Sequence, residues 1–94
     1  GLVPWLDKFV EHGDGVALVP DRTSAPWWQN LIKRVETVLF VSPKLKFIDR
    51  NGQRSSSPPQ GTCLVGIGRE ANFALDLASE YGLGVMLRVP EALK

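Results

Sequence analysis

The chain has 94 residues, 44% of them hydrophobic and 22% charged, with a net charge of +1. That length suits one domain, and that composition excludes wholesale disorder. The near-neutral balance excludes a bulk attraction to nucleic acid or to a membrane surface.

Residues 3–13 predict a short helix. Pro4 suits its first turn, Gly13 is a natural stop, and Trp5, Leu6, Phe9 and Val10 share one apolar face. The run Gly15-Val-Ala-Leu-Val-Pro20 predicts a strand buried on both faces, hence a sheet covered by helices. Asp21 to Ala25 form a loop at the carboxyl end of that strand. Pro26 opens a second helix, capped near Ser24 or Ala25, with Trp27, Trp28, Leu31, Ile32 and Val35 on its apolar face.

Residues 37–41 are β-rich, and Leu45, Phe47 and Ile48 continue extended structure past Pro43. Asn51-Gly52 is a turn signal, residues 53–60 are polar and proline-rich, and residues 61–68 form a third strand. Residues 37–68 therefore read as a long hairpin with an extended tip. A third helix follows, capped by Glu70 or Asn72, with Ala74, Leu77, Ala78 and Tyr81 on one face and Gly82 as its stop. Residues 84–89 give a last strand. Alternating helices and strands predict a single layered α/β domain over residues 1–94.

The charge is unevenly spread. Residues 41–69 hold Lys44, Lys46, Arg50, Arg54 and Arg69 against Asp49 alone, a local +4, while residues 1–40 carry −1 and residues 70–94 carry −2. One cysteine, Cys63, cannot form an internal disulfide, and a reducing compartment is the simplest reading. One histidine, one cysteine and no clustered carboxylates give no metal site. His12 reads as a cation at a helix C-terminus. No stretch approaches the ~18–20 apolar residues of a transmembrane helix, and the start has no basic-then-apolar leader.

Gly66-Ile-Gly68 before a helix lacks the third glycine and the spaced acid of a dinucleotide-binding turn. Ser57-Pro58-Pro59-Gln60 is similar to the catalytic turn of amino-methyltransferases, but Gln60 stands where those enzymes stack an aromatic on the flipped base. It reads as part of a mobile loop. No catalytic triad can be assembled. The informative constellation is a buried strand ending in Asp21-Arg22-Thr23, then Trp27-Trp28, then Lys44-Leu-Lys-Phe47. Open α/β folds bind ligands at the carboxyl edge of the sheet; cations contact phosphates and aromatics stack bases. Trp28 reads equally as a core residue.

At these residues the sequence resembles the phage-type DNA N6-adenine methyltransferase family. The resemblance runs through Pro4-Trp5-Leu6-Asp7-Lys8, Gly15-Val-Ala-Leu-Val-Pro-Asp-Arg-Thr23, Trp27-Trp28, Val38-Leu-Phe40, Lys44-Leu-Lys-Phe47 and Gly61-Thr-Cys-Leu-Val65, about residues 3–68. It implies a partial methyltransferase-like (Rossmann-like) sheet, S-adenosylmethionine as methyl donor, and adenine N6 in DNA as acceptor. It also implies what is missing, because the cofactor-binding turn and the catalytic Asn/Asp-Pro-Pro-aromatic turn would precede this segment. By carry-over, Asp21, Arg22, Thr23 and Trp28 face the substrate edge. Lys44, Lys46, Phe47, Arg50 and Arg54 approach DNA. The chain alone is expected to bind no cofactor and to be inactive, in the cytoplasm of a bacterial or phage-infected cell. Residues 69–94 lie outside the match, as a helix-strand extension. A half-sheet leaves an open strand edge. The expected partners are therefore DNA, the missing half of the enzyme, or a second copy in a homodimer, unless residues 69–94 cover the edge. The alternative reading is a small non-enzymatic DNA-binding or protein-interaction module.

Overall fold

The computed structural model describes residues 2–42 and 61–91. In chain order they form α1 (Leu2–His12), β1 (Gly15–Pro20), α2 (Pro26–Ile32), β2 (Thr37–Val41), β3 (Thr62–Ile67), α3 (Arg69–Glu80) and β4 (Gly84–Arg88). This is the succession of elements that the periodicities predict. The predicted extended run, the Asn51-Gly52 turn and the loop of residues 53–60 lie outside the described residues.

The strands make one sheet in the order β1-β3-β2-β4, with every neighbouring pair antiparallel. β1 and β2 therefore run the same way with β3 between them, and β3 and β4 run the same way with β2 between them. Each of these two connections passes through a helix, α2 in the first and α3 in the second. Both step in the same direction across the sheet, but their strands point oppositely. Right-handed crossovers then require α2 and α3 on opposite faces.

The packing agrees. The register sets Ala17 against Val65, Val19 against Cys63, and Val38 against Val65, so these side chains share one face. Leu6 of α1 and Trp28 and Leu31 of α2 bury against them, with Val35 and Ile67 completing the cluster. Among the described residues the other face carries α3 alone, through Ala71 and Leu75. Its floor is made by Thr37, Leu39 and Gly66. A Cβ on Gly66 would lie 2.6 Å from Thr37 Oγ1 and 2.8 Å from Leu75 Cδ1, so only glycine lets α3 approach this closely.

Three expectations are corrected. β1 is buried on one face only: Ala17 and Val19 are buried, while Val16 and Leu18 are 44% and 49% exposed. The reason is position: among the described residues β1 is an edge strand, and α3 centres on β3, β4 and β2 and reaches β1 less. α3 buries Ala71 and Leu75 rather than the Ala74, Leu77 and Tyr81 stripe, which is exposed; only Ala78 of the expected set is half-buried. Gly68, not Glu70 or Asn72, is the N-cap of α3, because the Asn72 side chain turns back to the sheet. As expected, Pro26 starts α2 and Ala25 occupies its N-cap, without a side-chain cap.

Residues 69–91 are integral to the sheet. β4 pairs with β2, so it extends the side opposite β1. The β1 edge is left without a strand partner among the described residues. No described helix is long and apolar enough to cross a membrane.

Candidate functional site

Because β1 and β2 run in the same direction, their carboxyl ends lie at one end of the sheet. There the chain leaves β1 as Asp21-Arg22-Thr23-Ser24-Ala25. The Asp21 N–H donates to Gly61 O at 2.9 Å, extending the β1:β3 ladder by one residue. The Arg22 N–H then bonds Pro20 O at 3.0 Å, and the Ala25 N–H bonds Arg22 O at 2.9 Å, closing a turn. Gln29 Nε2 of α2 donates to Thr23 O and ties the turn to the helix. The five residues line an open hollow of about 430 Å³. Asp21, Arg22 and Thr23 are all exposed there.

Three of the four residues assigned to the substrate edge are thus brought together. The fourth, Trp28, is not among them. It is 6% exposed and belongs to the core beneath the sheet. Its indole N–H is buried without a well-formed hydrogen bond. The indole nonetheless acts on the Cys63 thiol as a weak polar neighbour. Burial pushes the Cys63 thiol up to about 11, the indole partly opposes this, and Asp21 adds to it. A thiol held protonated in this way is an inert core group.

Lys44, Lys46, Phe47, Arg50 and Arg54 lie outside the described residues. Their segment is joined to the sheet at Ser42 and Gly61, and Gly61 is the residue that Asp21 holds. Ser42 and Gly61, the described residues on either side of that segment, lie at the end of the sheet that carries Asp21, Arg22 and Thr23.

A second polar cluster sits at the opposite end of β2, which sequence reasoning missed. Glu36 Oε1 accepts from the Gly68 N–H at 2.7 Å and from Asn72 Nδ2 at 3.2 Å. Thr37 Oγ1, fully buried, donates to Asn72 Oδ1 at 2.9 Å. The carboxylate satisfies the N-terminus of α3 in place of a side-chain cap, which Gly68 lacks. Glu36, Gly68, Arg69, Asn72, Asp76 and Arg88 border a hollow there, with acids and bases balanced. The usable signal was the pair Glu36-Thr37 directly before an apolar strand, where a buried polar group needs a partner.

These bonds also decide what Gly66 and Gly68 do. The space beside Gly66 is filled by Leu75 and Thr37, and the Gly68 N–H is engaged by Glu36. The pair serves helix packing, and it does not fit a donor-binding turn that presents free N–H groups to a ligand. Among the described residues no group of His, Cys, Asp or Glu side chains could hold a metal ion. No family model, curated protein or solved structure matches the chain.

Proposed function

We propose that this chain is the part of a phage-type DNA N6-adenine methyltransferase that follows the catalytic turn, a Rossmann-like half-sheet that contacts DNA and is inactive alone. The supporting observation is the convergence at one sheet end. The exposed Asp21-Arg22-Thr23 turn and the described residues on either side of the segment with Lys44, Lys46, Phe47, Arg50 and Arg54 meet there. In this antiparallel sheet β1 and β2 end there while β3 and β4 do not, so the reading rests on the residues gathered at that end and not on the carboxyl-edge rule for parallel sheets. In this reading Lys44, Lys46, Arg50 and Arg54 contact phosphates, Phe47 stacks a base, and Arg22 and Thr23 hold the substrate strand. S-adenosylmethionine would supply the methyl group from a pocket in the missing half. Since the Gly66–Gly68 turn does not fit that role, no methyl-transfer step is assigned to this chain.

The test is calorimetric titration with S-adenosylmethionine and with adenine-containing duplex DNA at two salt concentrations. The expected result is no heat with the cofactor and DNA affinity that falls with salt. Replacing Lys44 and Lys46 by Ala should lower the log–log salt slope by up to about 2, near 0.9 per lost phosphate contact. An unchanged slope overturns the DNA assignment. Cofactor binding overturns the claim of inactivity.

A second reading, a protein-interaction module, is favoured by the open β1 edge with its half-exposed Val16 and Leu18.

A further inference from the structure

The hydrogen bond from the Asp21 N–H to Gly61 O fixes which way β1 points its backbone groups. In an antiparallel ladder, alternate residues face the partner. Gly15, Ala17 and Val19 therefore direct N–H and C=O toward β3, and Val16, Leu18 and Pro20 direct theirs to the open side. Pro20 has no N–H, and its carbonyl already accepts from Arg22. Among the described residues four groups remain on the edge: the N–H and C=O of Val16 and of Leu18.

One antiparallel self-pairing uses all four. It sets Val16 opposite Leu18 of the partner subunit, Leu18 opposite the partner's Val16, and Ala17 opposite the partner's Ala17. Shifting by one residue to centre on Leu18 sets Val16 against the partner's Pro20, which has no N–H to give. Shifting the other way reaches Asp14, beyond the strand, where Gly13 at φ 75° has turned the chain. In the favoured register the half-exposed Val16 and Leu18 meet their counterparts on one face. Ala17, the smallest apolar side chain of the strand, lies at the two-fold on the other.

We infer that β1 pairs with β1 of a second copy, joining two four-stranded sheets into one across a two-fold axis. This rests on the interaction reading, not on the methyltransferase reading.

Sedimentation equilibrium of the whole chain, from low micromolar to submillimolar, tests it. The expected mass rises toward twice that of one chain. Leu18→Pro removes one outward N–H and leaves the β1:β3 ladder intact, and Val16→Lys places a cation on the same edge. Each should weaken association at least about tenfold, the effect of 1.4 kcal/mol, with far-ultraviolet circular dichroism unchanged. Leu87→Lys on β4 should leave association as it is. A single-chain mass at every concentration overturns the proposal, and so does a dimer that survives Val16→Lys or is lost with Leu87→Lys. None of these masses bears on the calorimetric tests of cofactor and DNA binding, so the two readings fail separately.

Discussion

The two faces of the sheet are built from alternate residues of the same strands, yet they differ in kind. The face under α1 and α2 holds a continuous apolar cluster from Leu6 to Ile67. The face under α3 holds a smaller contact, Ala71 and Leu75 on Leu39 and Gly66, laced by Thr37, Asn72 and Glu36. It leaves Val16 and Leu18 half exposed at one margin. The difference shows that burial here follows helix coverage rather than the apolarity of the strand. β1 is apolar at nearly every position, and only the covered side is buried.

This contrast can be broken or sharpened by substitution. The largest effect belongs to the two-helix face. Trp28→Ala should cost about 3–5 kcal/mol in denaturant unfolding, because it empties the space between α2 and the sheet. A loss under 1 kcal/mol would return Trp28 to the substrate edge.

Next comes the alkaline limb. Cys63 keeps its proton up to about 11 in the folded chain, against about 9.0 for an exposed thiol. Above about pH 9 the unfolded state loses a proton that the folded state retains, so stability falls as pH rises toward 11, by up to about 1.4 kcal/mol per unit. Cys63→Ala should abolish that extra slope relative to wild type. Identical slopes would mean that the thiol is not desolvated.

On the one-helix face the effect is smaller and of opposite origin. Gly66→Ala should cost about 1–3 kcal/mol by overpacking against Thr37 and Leu75. Smallest of all, Phe73→Ser on the outer side of α3, where Phe73 is 60% exposed, should change the unfolding free energy by under about 0.5 kcal/mol.

Much of the local structure was legible. The boundaries of β1 and β2 follow from apolar runs closed by Pro20 and preceded by Glu36, and Gly13 and Gly82, both at positive φ, end α1 and α3 as expected. What was not legible depends on partners distant in the chain. α3 carries two apolar stripes, and the sheet selects Ala71 and Leu75 because Gly66 and Thr37 supply a floor shaped for them. The local periodicity favours the longer stripe through Leu77 and Tyr81. The position of β3 between β1 and β2 is likewise a property of pairing, absent from any single segment. At the candidate site, Asp21, Arg22 and Thr23 were placed by the end of an apolar run. Glu36 was overlooked and Asn72 was read as a helix cap, because the two are 36 residues apart and meet only through the fold.

The β4 edge has a bearing on aggregation. Its outward groups belong to Gly84, Met86 and Arg88, since Leu83 and Val89 bond back toward β2. The Gly84 carbonyl is already taken by Ser79 Oγ at 3.0 Å, and Arg88 places a cation on the rim. A charged, partly occupied margin discourages further strand addition. Pairing through β1 would therefore end at two copies, with a gatekeeper at each outer margin against filament growth.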